Sequence, residues 1–212
     1  NANNSMVLPS GGVTQLDFAK IFLEMVESGR GEPGIFNREA AAAMVPPRRM
    51  QADWGTNPCG EIVLRPFEFC NLSIAVARQG DDYESLKDKV EVATIIGTIQ
   101  AMATDFKGLR PQWRQNCEEE RLLGVDITGQ LDSPIAQDAG VKSRLRQVVV
   151  EANRQTAMQL GINQAAACTT VKPSGNSSQL LNCSSGLHAR WAKYYIRNIR
   201  VGTHSPLYKV LR

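Results

Sequence analysis

An amide, a thiol and a carboxylate occupy alternate positions in the first third of this chain. They are Asn57, Cys59 and Glu61, and a second thiol, Cys70, follows eleven residues after the first. In an extended segment, side chains two positions apart point to the same side, so these three groups can contact one ligand. The spacing therefore predicts a reactive loop in which a thiol and a base act on one molecule.

The alternative for Cys59 is a structural thiol in a turn, because a free cysteine often packs as a small apolar residue. Glu61 argues against this interpretation. A carboxylate two residues from a thiol in an apolar setting disfavours the thiolate, and its own pKa is expected to rise. The pattern suits a neutral thiol that gives up a hydrogen atom beside a general base. Pro58 and Gly60 predict a tight, exposed loop tip around the thiol.

Four segments of the chain resemble the ribonucleotide reductases, most closely the adenosylcobalamin-dependent class II enzymes. The segments occur in the same order as the corresponding motifs of that family, and the resemblance extends along nearly all of the 212 residues. Within the family, the chain looks most like the monomeric branch that reduces triphosphates, and the diphosphate form remains open. The matching segments are residues 57–61 with 70–72, residues 171–180 with 184–188, residues 31–38, and residues 119–125.

This resemblance implies both an architecture and an activity. Residues 1–212 are expected to be a central fragment of the catalytic barrel domain, truncated at both ends. The implied fold is α/β, part of a ten-stranded barrel with the Cys59 loop inside. The implied reaction is the radical-based reduction of ribonucleoside triphosphates to 2′-deoxyribonucleoside triphosphates for DNA synthesis. A non-catalytic nucleotide-binding module that keeps the barrel core is the alternative from another functional class.

The resemblance also implies a cofactor, partners and roles for individual residues. The cofactor is adenosylcobalamin, the reductant is thioredoxin or a similar dithiol, and a deoxynucleoside triphosphate effector binds outside the fragment. Cys59 becomes the thiyl radical, Glu61 acts as general base on the ribose 3′ hydroxyl, and Asn57 binds substrate hydroxyls. Cys70 is the reductant thiol, with a disulfide partner outside the chain. For Glu61 and Asn57 the alternative is a turn-capping role.

A second candidate site is a hydroxyl-rich loop that resembles the family's substrate-phosphate loop. Its backbone N–H groups, hydroxyls and one lysine could together bind an anion. The alternative is an ordinary turn. Asn3, Asn4 and Ser5 are weaker candidates for the same substrate site. The predicted substrate-binding residues are Lys172, Pro173, Ser174, Gly175, Asn176, Ser177 and Ser178.

Charge and cysteine content limit the remaining functions. Residues 1–141 carry 13 Lys and Arg against 20 Asp and Glu, whereas residues 142–212 carry 11 against 1. The basic part favours an anionic partner such as substrate phosphate, although exposed or ion-paired side chains would give the same count.

Five cysteines without close spacing predict a reducing, cytoplasmic environment and no metal site. No apolar run is long enough to predict a membrane helix.

Periodicity predicts alternating strands and helices, the pattern of an α/β layer architecture. The basic and aromatic residues near His188 and Trp191 could instead suggest a nucleic-acid surface, but no binding-module motif accompanies them. We therefore expect no direct nucleic-acid binding. The predicted helices span residues 16–28, 85–106, 113–122 and 141–160, and the predicted strands span residues 70–76, 124–129, 165–172 and 194–201.

Overall fold

A computed structural model describes residues 5–8, 11–29, 33–46, 48–49, 53–196 and 198–211. Asn3, Asn4 and the first two residues of the matching segment 31–38 lie outside this range. The strands are β1 (Ser5–Leu8), β2 (Gly34–Asn37), β3 (Gly55–Thr56), β4 (Val63–Leu64), β5 (Asn71–Val76) and β6 (Leu123–Thr128). The α-helices are α1 (Gln15–Ser28), α2 (Arg38–Met44), α3 (Tyr83–Gln100), α4 (Pro111–Glu120), α5 (Pro134–Gln137), α6 (Ala139–Leu160), α7 (Asn176–Leu180) and α8 (Pro206–Leu211), with a 3₁₀ turn at Gln130–Asp132.

Strands β5 and β6 form the parallel pair at the centre of the fold. Asn71 faces Leu123 at one end of the pair, and Val76 faces Thr128 at the other. A parallel pair needs a long crossover, which here contains α3 and α4. The predicted strand at 165–172 lies along the other edge of β6, where it forms a single parallel β-bridge at Thr169.

Helix α3 covers one face of this pair, and α6 packs against α3. Leu86 and Val90 from α3 meet Leu145 and Val149 from α6, and each of these side chains is at most 1% exposed. Their spacing of four residues places each pair on one helix face, as the periodicity predicts. Because side chains alternate along a strand, Asp126 and Thr128 of β6 point to the face opposite to Val125 and Ile127.

The observed helix ends differ from the predicted ones where tertiary contacts intervene. Asp82 and Ser85 form a reciprocal capping box, so α3 begins at Tyr83, ahead of the predicted start. The same helix ends at Gln100 rather than 106, and the chain then turns to bring Phe106 against Phe69, with ring centroids 5.2 Å apart. Gly161, in the left-handed conformation, ends α6 as predicted.

The prediction of a strand at 194–201 is wrong for this structure. Residues 194–196 and 198–201 form no strand, and Ile196 and Ile199 are 93% and 74% exposed. Alternating apolar residues become a strand only where another strand satisfies their backbone groups, and none of the described strands lies beside this segment. Sequence reasoning also missed α2 and the parallel pair β1 and β2. None of the described helices combines the length and apolarity needed to cross a bilayer.

Candidate active site

The residues around Cys59 form the tip of a short antiparallel hairpin between β3 and β4. The Asn57 N–H donates to the Ile62 carbonyl at 3.2 Å, and the Ile62 N–H donates to Oδ1 of Asn57 at 3.0 Å. Gly60 has φ +80, a left-handed conformation that a residue without Cβ adopts readily. The hairpin leaves the Cys59 side chain exposed, as predicted. Asn57 therefore makes a turn-capping contact, the alternative role predicted for it.

Lys172 joins this hairpin from a distant part of the sequence. Its ammonium Nζ lies 2.7 Å from Oε1 of Glu61 and 3.8 Å from Sγ of Cys59. The hydroxyl of Thr170 also donates to the Glu61 backbone carbonyl at 3.3 Å. The structure thus brings the predicted thiol and carboxylate together and places between them a lysine predicted for the phosphate loop.

The ion pair changes the electrostatics expected for Glu61. Burial raises the pKa of Glu61, but hydrogen bonds from Lys172 and Asn57 and the positive charge of Lys172 lower it, and the pKa falls below its usual value. The prediction of a raised pKa for Glu61 was wrong because Lys172 lowers it. Lys172 is 111 residues away in sequence, so no local pattern indicates this partner. Oε2 of Glu61 is buried without a hydrogen-bond partner in the described residues.

Asp126, in the middle of β6, is a second carboxyl group next to the hairpin. It is 1% exposed, and Oδ1 accepts the backbone N–H of Lys172 at 3.0 Å. Burial raises the pKa of Asp126 to about 6, and Oδ2 is buried without a partner in the described residues. Sequence reasoning missed this residue, although an acid between Val125 and Ile127 in a buried strand was a signal for it.

Cys70 lies immediately before β5 and is partly buried. Burial, followed by the negative charges of Glu68 and Glu61, raises the pKa of Cys70 to about 12, so it stays a neutral thiol at physiological pH. Gly124 faces it from β6. A Cβ at Gly124 would lie 3.2 Å from Sγ of Cys70 and 2.6 Å from Cδ2 of Leu72, so only glycine fits there without displacement.

A buried cluster of ion pairs holds the segment that precedes Cys70. Arg49 pairs with Glu68 at 3.1 Å and with Glu120 at 2.7 Å, and its guanidinium lies 4.6 Å from the ring centre of Trp54. Arg65 pairs with Glu68 at 3.4 Å from the other side. Burial and the charge of Glu120 raise the pKa of Glu68 to about 8. The cluster connects three parts of the chain: the segment before the hairpin, the segment before Cys70, and the end of α4.

The hydroxyls of the predicted phosphate loop are bonded within the protein. Ser174 is buried, with Oγ 2.8 Å from Oγ1 of Thr128. The Ser177 hydroxyl donates to the Ser174 carbonyl at 2.5 Å, and the Ser178 hydroxyl donates to the Gly175 carbonyl at 2.7 Å. Gly175, with φ +52, precedes the short helix α7 that begins at Asn176. The loop is thus a tightly bonded turn, and the Lys172 ammonium is bonded to Glu61.

Glu61 lines a cavity of about 660 Å³ between the hairpin and α6. Its walls are largely apolar, with Lys142 and Arg146 contributing positive charge. A cavity of this kind, with a few polar groups on apolar walls, is typical of a small-molecule site. Among the described residues, no group of three His, Cys, Asp or Glu side chains could hold a metal ion.

Sequence comparison relates the chain to proteins that carry a named activity. It is 30% identical, over 74% of its length, to an adenosylcobalamin-dependent ribonucleoside-triphosphate reductase from Lactobacillus helveticus, covering 25% of that relative. A reductase of the same name from Levilactobacillus brevis is 28% identical over the whole chain, which covers 32% of the relative. The chain is thus similar in sequence, over most of its length, to adenosylcobalamin-dependent ribonucleoside-triphosphate reductases. No family model matches it.

The fold agrees with this similarity. A crystal structure of the B12-dependent, class II ribonucleotide reductase matches with a TM-score of 0.62 at 24% identity, over 88% of this chain and 30% of the solved one. The present α/β segment thus shares its fold with part of that reductase. The chain spans about a quarter to a third of the length of the curated relatives that it matches.

Proposed function

We propose that the chain forms part of an adenosylcobalamin-dependent reductase that converts ribonucleoside triphosphates to 2′-deoxyribonucleoside triphosphates for DNA synthesis. The observation that carries the proposal is the hairpin on which the exposed thiol of Cys59 and the shielded carboxylate of Glu61 meet one lysine. The names of the relatives support the triphosphate substrate, and reduction of diphosphates is the alternative within the same family.

We propose that residues 1–212 are a fragment of the catalytic domain, a ten-stranded α/β barrel with the Cys59 hairpin inside it. The parallel β5 and β6 support this architecture, because helices cover one face and the other carries Asp126 and Thr128. The exposed Ile196 and Ile199 also support it, since further barrel strands would bury them.

Cys59 is the hydrogen donor and acceptor of the proposed reaction. Adenosylcobalamin supplies, when bound, an organic radical able to take the hydrogen atom of a thiol. The described residues fit that chemistry because the Cys59 side chain is exposed at a hairpin tip. The resulting Cys59 thiyl takes the 3′ hydrogen of the ribose and returns a hydrogen atom at the end of the reaction.

Glu61, Asn57 and Cys70 complete the chemistry. Glu61 accepts the proton of the 3′ hydroxyl through Oε2, which has no protein partner in the described residues. The 2′ hydroxyl takes a proton from one of the two reducing thiols and leaves as water, and Glu61 later returns its proton to the 3′ oxygen. Asn57 orients the ribose hydroxyls from the base of the same turn. Cys70 and a thiol outside this chain supply two electrons and become a disulfide, which thioredoxin or a similar dithiol reduces.

The substrate phosphates are proposed to bind at residues 173–178, with Lys172 adding positive charge where the loop begins. The chain from residue 142 onward carries 11 Lys and Arg against 1 Glu, an excess of positive charge that favours an anionic ligand. The deoxynucleoside triphosphate effector is proposed to bind outside the fragment.

The proposal is tested by assaying the full-length protein for reduction of CTP and CDP with thioredoxin, with and without adenosylcobalamin. We expect cofactor-dependent formation of dCTP, and formation of dCDP alone would select the diphosphate alternative. Nucleotide binding without turnover under all conditions would support a non-catalytic nucleotide-binding module and overturn the proposal.

A further inference from the structure

The contacts of Lys172 suggest a task that phosphate binding does not explain. Its side chain is 19% exposed, and that of its partner Glu61 is 7% exposed. An ion pair so shielded from water interacts more strongly than one at the surface. The ammonium also lies 3.8 Å from Sγ of Cys59, so it contacts both reactive groups of the hairpin.

The backbone on either side of Lys172 is fixed to the same groups. Its N–H donates to Oδ1 of Asp126, which belongs to the buried centre of β6. Two residues earlier, Thr170 donates to the Glu61 carbonyl. Glu61 is therefore held through its backbone and its side chain by one short segment that is itself anchored to β6.

We propose that Lys172 is a positioning residue for Glu61, holding Oε1 so that Oε2 is left for the substrate hydroxyl. The inference rests on the proposed reductase function and adds to it the residue that keeps the base ionised and oriented. It differs from a phosphate-binding role for Lys172, because its effect passes through Glu61 and does not depend on substrate phosphate.

The environment of Glu61 gives this role a pH signature. Lys172 lowers the pKa of Glu61 against the effect of burial, so removing the ammonium should raise that pKa and leave more of the base protonated in mild acid. The other titratable or charged groups around Glu61 come from the segment before the hairpin, the hairpin, the residue before β5, β6 and α6. They are Arg49, Cys59, Cys70, Asp126, Lys142 and Arg146.

The decisive variant is Lys172→Met in the full-length protein, which keeps the length of the side chain and removes its charge. We expect kcat to fall about tenfold or more at pH 6 and less at pH 8, because the acid limb of the profile moves to higher pH. Lys172→Arg, which keeps the positive charge, should retain much of the kcat that Lys172→Met loses. Lys107→Met is the matched control, because Lys107 is 89% exposed and lies 3.7 Å from its nearest carboxylate. A higher KM with an unchanged kcat profile would overturn the inference in favour of phosphate binding.

A double-variant cycle separates a role through Glu61 from an independent one. If Lys172 acts through Glu61, Lys172→Met should cause little further loss in a Glu61→Gln background. Losses that multiply in the double variant would overturn the inference. Because both variants share one hairpin, thermal unfolding of each reports whether the fold is retained.

A direct titration keeps the inference testable even if the proposed reaction is wrong. The side-chain carboxyl of Glu61 can be followed by ¹³C NMR in labelled protein, with Glu61→Gln identifying the signal. We expect its midpoint to lie at higher pH in Lys172→Met than in the wild type, and equal midpoints would refute the inference. A wild type without reductase activity but with this shift would contradict only the proposed function.

Discussion

Arg49 and Glu120, 71 residues apart in sequence, form an ion pair of 2.7 Å in which the side chains are only 3% and 5% exposed. Glu68, with a side chain that is 0% exposed, shares the same arginine. Such pairs are costly to bury and are strongly destabilising when one partner is removed. The cluster therefore fixes the position of the segment before Cys70 relative to α4.

Arg49→Met should destabilise the protein far more than loss of a surface ion pair. The variant leaves the buried Glu120 carboxylate without its 2.7 Å partner, a change that typically costs about 3–5 kcal/mol. Arg154→Met is the control, because its pair with Glu151 is exposed, and exposed pairs contribute little to stability. Urea unfolding measures both, and similar losses for the two variants would contradict the structural importance of the cluster.

Stability should fall as the pH rises from mildly acidic to mildly alkaline. The pKa of Glu68 is raised from 4.5 to about 8, so the folded protein retains a proton that the unfolded chain releases. The resulting stabilisation is complete below pH 4.5 and is lost as the pH rises through about 8. Asp126, with its pKa raised to about 6, acts in the same direction. Urea unfolding from pH 5 to 9 tests this, and Glu68→Gln should flatten the dependence.

Cys59→Ser should abolish turnover and leave nucleotide binding nearly intact. A hydroxyl fills nearly the same space, but its O–H bond is too strong to give up the hydrogen atom. Product analysis and equilibrium nucleotide titration of the full-length variant provide the measurements. Any clear formation of deoxynucleotide by this variant would remove Cys59 from its proposed role.

Cys70→Ser should allow radical chemistry to begin but prevent repeated turnover, because no disulfide could then supply the two electrons. The measurement is product formed per enzyme with excess thioredoxin, compared with the wild type. Cys117→Ala is a suitable control, since Cys117 is buried in α4 and accepts the Phe69 N–H. Normal cycling by Cys70→Ser would show that another thiol is the reductant.

Replacing Ser177 and Ser178 together by Ala should weaken substrate binding by roughly tenfold, the effect of about 1.4 kcal/mol. In this structure both hydroxyls donate to carbonyls of the turn, so phosphate binding must exchange one set of hydrogen bonds for another. Equilibrium titration compares the double variant with Ser143→Ala, an exposed position on α6. Unchanged affinity would move the phosphate site elsewhere.

The sequence predicted those elements whose signals are local. The periodicity of α6 and its terminal Gly161 located that helix, and the alternation before Gly129 located β6. The spacing of Asn57, Cys59 and Glu61 likewise predicted a shared turn.

What the sequence could not predict depends on contacts between distant segments. The pairing of Lys172 with Glu61 reverses the expected direction of the pKa shift of Glu61, and no local pattern encodes it. The segment 194–201 has the alternation of a strand but lacks a strand beside it in the described structure. Periodicity identifies the apolar face of an element, whereas burial of that face depends on what lies next to it.

The parallel pairing of β5 with β6 sets an order of events during folding. Asn71 can meet Leu123 only after the chain between them has closed a long loop, which slows the formation of non-local contacts. The hairpin of Cys59, by contrast, joins neighbouring residues and can form early. The ion pair between Lys172 and Glu61 joins residues 111 positions apart, so we expect the reactive groups to come together later in folding than the hairpin itself.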